Sequence, residues 1–228
     1  MLQKTLTIDF VSLLVSVLLI ALYHVFLRYK IKNDPTYTVQ AINRIARTAW
    51  VETIMRTDKH AVLAVQTLRN STMAATFLAS TSVLMIIGVL TLSEQGGKLD
   101  ATWHVLNTFG EINPVLWMVK LLVLLLDLFV AFFSFSMAIR VFNHVGYMIN
   151  VPLVLNHKMI TPAHVATHLN RAGSFYSLGM RAYYFLVPLV FWLFGPHFML
   201  AATIGLLFVL YRIDRAPTVA TFEYSDIE

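Results

Sequence analysis

Polar residues along this chain are sparse and come in bursts. Between the bursts lie stretches in which nearly every position is apolar, so neither a two-residue nor a 3.6-residue period stands out. Four runs are long enough to matter. Residues 8–27 ("IDFVSLLVSVLLIALYHVFL") hold no charge after Asp9 and match the ~30 Å hydrocarbon core of a bilayer. Residues 72–92 and 115–139 form the second and third runs, the third opened by Asn113-Pro114, a helix start with proline at its first position. Residues 183–211 form the fourth, interrupted by Pro188 and by Gly195-Pro196-His197. As one helix the fourth would be ~43 Å long, so it must tilt or kink, and Pro196 is the natural place. A single broken crossing is the preferred reading, because each half of 183–211 is too short to span alone. The rival is a pair of half-helices that turn back at Gly195-Pro196.

Periodicity returns in the segments between the runs. Val39, Ile42, Ala46, Ala49, Trp50 and Ile54 recur at helical spacing, with Arg44, Arg47 and Arg56 on other faces. That pattern fits a helix lying in the membrane interface and equally a helix packed on a neighbour. Thr161-Pro162 reads as an N-cap followed by the first residue of a helix running toward the fourth run.

Composition agrees. Of 228 residues, 58% are hydrophobic and 13% charged, far too little charge for the surface of a water-soluble domain. The fold class expected is all-α: a polytopic helical membrane protein of four transmembrane spans plus amphipathic cytoplasmic helices. It is one domain over 1–211 with a polar tail over 212–228. A cleaved signal peptide is disfavoured, since the n-region has one Lys, no small-x-small site follows, and Arg28, Lys30 and Lys32 form a cytoplasmic stop. The absence of cysteine excludes disulfides, Cys-ligated zinc, iron–sulfur clusters and covalent haem attachment.

The net charge of +5 matters through its placement. Arg28, Lys30, Lys32, Arg44, Arg47, Arg56, Lys59 and Arg69 lie between runs one and two, and Arg140, Lys158, Arg171 and Arg181 between three and four. The loop between runs two and three has only Lys98, against Glu94, Asp100 and Glu111. The basic loops are therefore expected in the cytoplasm, with the N-terminus outside. Arg212 and Arg215 fall outside if the fourth run crosses once and inside if it returns. Basic residues that flank apolar spans do not form a nucleic-acid surface.

Three blocks, "RNSTMAATFLASTSVLMIIGVL", "KLLVLLLDLFVAFFSFSMAIRVFNHVGYMINVP" and "GMRAYYFLVPLVFWLFGP", taken together resemble the signature blocks of the uncharacterised membrane family catalogued as domain of unknown function 599. Asn70, Arg140, Asn143, His144, Arg181, Tyr183, Tyr184, Trp192, Gly195 and Pro196 match family positions. "YRIDRAPT" departs from the more basic tail usual in the family, so nothing is carried beyond Tyr211. The resemblance implies a membrane location, the bacterial inner (cytoplasmic or intracytoplasmic) membrane, and brings no reaction with it.

Charges inside the apolar runs carry the remaining chemistry. Lys120 and Asp127 share a helix face two turns, ~10 Å, apart. Helical side chains lean toward the N-terminus, so Lys120 points away from Asp127 and can snorkel to the outer interface. Asp127 sits in mid-span and must find partners inside the bundle, with His197 or carbonyls freed by Pro196 as candidates and Ser16 and Ser80 to Ser82 at matching depth. At the cytoplasmic ends, Arg28, Arg69, Asn70, Arg140, Asn143, His144 and Arg181 form a ring suited to anionic lipid or an anionic ligand, although anchoring alone also explains the cations.

His164 and His168, four apart on a helix, have a spacing that can hold a metal, with His157 and His144 as neighbours. No Glu-x-x-His pattern accompanies them, and no cofactor is predicted. No nucleophile elbow, phosphate loop or paired carboxylate appears, so an enzyme is not expected. Ser71, Ala75 and Ala79 repeat every four residues, as do Ala201 and Gly205, a spacing that lets helices approach closely in lipid. The leading expectation is a non-enzymatic membrane component that oligomerises or docks on a larger membrane complex and contacts lipid through a basic face. The alternatives are a small transporter or channel using Asp127 and the broken helix, and a metal- or haem-binding protein.

Overall fold

The computed structural model describes residues 2–57, 61–94, 114–153 and 158–216. Six helices account for nearly all of them: α1 (Leu2–Asn33), α2 (Val39–Arg56), α3 (Ala61–Glu94), α4 (Pro114–Met148), α5 (Pro162–Phe194) and α6 (Pro196–Asp214). All but α2 are long and apolar enough to cross a membrane. At ~1.5 Å per residue, α3, α4 and α5 are about 50 Å long, which exceeds the ~30 Å hydrocarbon core and leaves polar ends outside it. The lateral surfaces of the apolar helices carry exposed Phe77, Leu84, Phe133 and, on α6, Phe208, the apolar belt that lipid must cover.

The first three runs and the start of α4 at Pro114 fall where the hydropathy places them. Thr161 caps α5 by accepting a hydrogen bond from the His164 N–H at 3.2 Å, with Pro162 in the first turn. The fourth run differs from the single crossing expected. The break is at Gly195, but the chain reverses there: Arg181 of α5 meets Asp214 of α6 at 3.2 Å, while Phe194 and Pro196 sit at the common end. Gly195 has φ +148°, which an L side chain rarely adopts, and Pro196 then starts a new helix. Length does not prevent the reversal, because α5 begins at Pro162, well before residue 183, and each arm is long enough to span. The reversal brings Arg212 and Arg215 to the same end as Arg28, Arg140 and Arg181, hereafter the basic end.

α4 lies against α3 on one side and α5 on the other, α5 packs on α6, and α6 on α1. α2 crosses the basic end on α5, burying Val51, Ile54 and Met55 against Phe142, Val145, Val165 and Leu169. This amphipathic segment is therefore a helix packed on its neighbours through its second half. Toward the far end Ile86 and Val89 pack on Leu121, Leu124 and Leu128. Between these clusters Phe135 is fully buried, and its ring fits because Gly179 has no side chain: a Cβ there would lie 2.7 Å from the ring. Tyr176 and Tyr183 meet it edge-on, at 5.7 and 5.3 Å.

α6 continues to Asp214, whose carboxylate is held by Arg181 and by the Tyr23 hydroxyl at 2.9 Å. Beyond it, Arg215 bridges to Thr38 and the Ala216 N–H bonds the Tyr37 carbonyl at 3.0 Å. This ties the end of α6 to the corner between α1 and α2.

Candidate functional site

The polar groups inside the bundle gather along α1, on the side that faces α6. Asp9, Ser12 and Ser16 are almost completely buried and share one helical stripe. At the far end, Lys120 of α4 lies 3.1 Å from the Asp9 carboxylate, and both side chains are buried. The Lys120 ammonium also donates to the Trp192 carbonyl at 2.9 Å and lies 5.4 Å from the indole centroid, while the indole N–H donates to Asp9 at 2.9 Å. Trp192 is in the last turn of α5, and its carbonyl accepts from the Gly195 N–H at 3.2 Å as well as from Lys120. Two turns further in, the Thr203 hydroxyl of α6 donates to Ser16 at 3.2 Å. At the basic end, Arg181 contacts Asp214 at 3.2 and 3.3 Å and the His24 ring at 2.7 Å, and the other His24 nitrogen bonds the Ile20 carbonyl at 2.8 Å. With Nδ1 donating to that carbonyl, Nε2 is left to accept from Arg181.

These contacts revise three expectations. Lys120 leans away from Asp127 as its helix direction requires, yet it does not reach the interface, because Asp9 intercepts it inside the bundle. Asp127 and His197 do not pair. Reversal at Gly195 puts His197 in the first turn of α6, at the level of the turn, while Asp127 lies about two turns, ~10 Å, deeper than Lys120. Asp127 Oδ2 is buried and has no hydrogen-bonding partner among the described residues. Arg181 is committed to Asp214 and His24, so it is not open to an external anion in the way the other basic-end cations are.

The remaining members of the expected basic ring do not form one site. Arg28, Arg140 and His144 are exposed on α1 and α4. Arg69 and Asn143 line a groove of about 620 Å³ between α3 and α4, with Thr72, Phe142 and Tyr147. Asn70 turns the other way, into a groove of about 680 Å³ bounded by α2, α3 and α5, with Arg47, Trp50, Ser71 and Phe142. Arg47 was legible only as a polar-face residue of α2. In the structure its Nε donates to Asn170 at 3.0 Å, and Asn170 in turn donates to the Thr48 hydroxyl at 3.0 Å. Burial and the neighbouring Arg44 charge push the Arg47 guanidinium below its usual pKa.

The His164 and His168 rings lie 4.6 Å apart, and His157 falls outside the described residues. Among the described residues no group of three or more His, Asp or Glu side chains converges as metal ligands. Of the small-residue stripes, Ala75 and Ala79 are buried within the bundle beside the half-buried Ser71, whereas Ala201 is exposed and Gly205 has open space around its Cα.

The sequence pattern of a family described as "Protein of unknown function, DUF599" matches residues 11–219. The chain belongs to DUF599. That span takes in the polar stripe of α1 from Ser12 onward, both grooves at the basic end and the Gly195 reversal, so the architecture described above is that of a DUF599 protein. No curated protein and no solved structure matches the chain.

Proposed function

We propose that this DUF599 protein is a non-enzymatic component of the bacterial inner membrane that holds anionic lipid at its cytoplasmic basic end, with the N-terminus outside, and docks on other membrane proteins. The observation that carries the reading is the division of labour among the cations. Lys120 and Arg181 are neutralised internally by Asp9 and Asp214, whereas Arg47 and Arg69 line open grooves whose floors are apolar. Cations held next to apolar grooves at a membrane boundary suit a phosphate head group with its chains alongside. Docking draws support from Ala201 and Gly205, which face outward on α6 where a second helix can approach. The test is the lipid that accompanies the protein through mild detergent extraction, measured by native mass spectrometry. Enrichment of anionic lipid over its share of the source membrane is expected, and a carried lipid mixture identical to that membrane refutes the reading.

A second reading, a small transporter, is favoured by one arrangement. Titratable or hydroxyl groups stand at three depths: Asp9 with Lys120, then Ser16 with Thr203 and Asp127, whose Oδ2 has no partner among the described residues, then Tyr23, His24, Arg181 and Asp214. Intramembrane acids mark ion and proton routes. Proton or cation flux into liposomes that Asp127→Asn abolishes would establish it, and flux no greater than in empty liposomes would end it.

A further inference from the structure

The groove bounded by α2, α3 and α5 contains a more specific arrangement. Arg47 uses only Nε for hydrogen bonding among the described residues, leaving both terminal nitrogens of its fork without a protein partner. Its position is fixed from two helices. Asn170 accepts from Nε and is itself anchored to Thr48, and the guanidinium lies against the backbone of Gly173, where a Cβ would approach Cζ and Nη1 to 2.7 Å. A guanidinium held at its Nε edge and against the Gly173 backbone has less rotamer freedom to lose when a ligand arrives.

The groove that it faces is amphipathic. Asn70 and the Trp50 indole supply further donors along its polar side, and the Ser71 and Thr67 hydroxyls, which donate to carbonyls of their own helix, keep lone pairs turned outward. Leu68, Ala74 and Phe142 continue the groove as an apolar floor, and no carboxylate lines it. Arg44, one turn before Arg47, adds positive field. A small hydrated anion has no use for that floor, whereas a phosphate ester attached to hydrocarbon uses both parts.

We infer that this groove is a discrete site for the phosphodiester of one anionic phospholipid, clamped by the Arg47 fork with Asn70, its acyl chains on Leu68, Ala74 and Phe142. The inference rests on the anionic-lipid reading above and narrows it to one site that the basic residues of the sequence did not single out. Removing the fork should matter more than removing any exposed cation, since bidentate, charge-assisted bonds to phosphate are the strong ones.

The experiment uses the full chain in mild detergent, with native mass spectrometry of adducts formed with phosphatidylglycerol, phosphatidylcholine or sn-glycerol 3-phosphate. Wild type should hold one phosphatidylglycerol in preference to phosphatidylcholine. Arg47→Gln should weaken that first adduct about ten-fold or more, and Arg47→Lys should recover only part of it, because an ammonium cannot keep Asn170 and also present a fork. Arg56→Gln, at an exposed cation already paired with Glu52 and outside the groove, should leave it unchanged, and matched melting temperatures confirm that the variants fold. Equal adducts for wild type and Arg47→Gln, with the phosphatidylglycerol preference intact, overturn the site and leave the general reading standing. Loss of any preference in wild type overturns both. Displacement of the lipid by equimolar sn-glycerol 3-phosphate overturns the lipid assignment in favour of a soluble phosphate ester.

Discussion

Asp9→Asn keeps the shape of its side chain and removes one charge from the Asp9–Lys120 pair. With the two charged atoms 3.1 Å apart, their attraction is about 5 kcal/mol at an effective dielectric near 20. Desolvation offsets much of that, so the intact pair gives little net stability over an uncharged, well-packed replacement. The single variant is different. It leaves the Lys120 ammonium, whose side chain is 9% exposed, with neutral acceptors only, the amide oxygen at position 9 and the Trp192 carbonyl, and no countercharge, and breaking a buried pair in this way costs about 3–5 kcal/mol. Lys120→Met strands the carboxylate on the Trp192 indole N–H and should cost a similar amount. The double variant Asp9→Asn/Lys120→Met buries no net charge and should fall within about 1 kcal/mol of wild type, giving a coupling of about 5 kcal/mol or more. Ordinary hydrogen bonds between membrane helices average about 0.6 kcal/mol, so the two cases are separable. Reversible unfolding in dodecyl maltoside micelles titrated with sodium dodecyl sulfate, followed by tryptophan fluorescence, measures all four proteins. Additive single variants, with coupling under about 0.5 kcal/mol, would refute the claim that the pair is buried and direct.

Gly195→Ala forces a side chain into φ +148° and should destabilise by about 1–3 kcal/mol, whereas Gly88→Ala, helical and with open space around it, should be neutral within about 1 kcal/mol; a detergent melt compares them. If the chain reverses at Gly195, a cysteine placed at Ala216 and one at Thr36 will react with an impermeant maleimide from the same side of a sealed vesicle, and labelling from opposite sides would restore the single broken crossing. Gly179→Ala should cost about 1–3 kcal/mol by overpacking against Phe135, and a combined Gly179→Ala/Phe135→Leu variant should regain part of it in the same melt.

Hydropathy located the first three helices because lipid imposes a uniform demand on every residue of a span, and that demand needs no knowledge of neighbours. The fourth run misled for a related reason. Its count began at Tyr183, where the apolar residues begin, but α5 had already been helical for about twenty residues, from Pro162. Hydropathy marks where lipid starts, not where a helix starts, so the arms looked too short. Partnership was harder still. Lys120 and Asp127 drew notice as charges in oil, while Asp9 passed as the boundary of a run. The spacing of Asp9, Ser12 and Ser16 was the available signal, a polar stripe on one face of a helix that is otherwise apolar. Arg47 could not have been found that way, since its site depends on Asn170 and Gly173, more than a hundred residues away.

The contacts of α1 also govern the order in which the molecule can be completed. Among these helices α1 takes its polar partners from ones made after it: Lys120 and Trp192 for Asp9, Thr203 for Ser16 and Asp214 for Tyr23. Until the ribosome has delivered α6, the nascent chain holds Ser16 and Tyr23 without their final companions. A truncated product stays in that state, displaying the kind of unsatisfied intramembrane group that quality-control proteases can recognise, and only a finished chain conceals it.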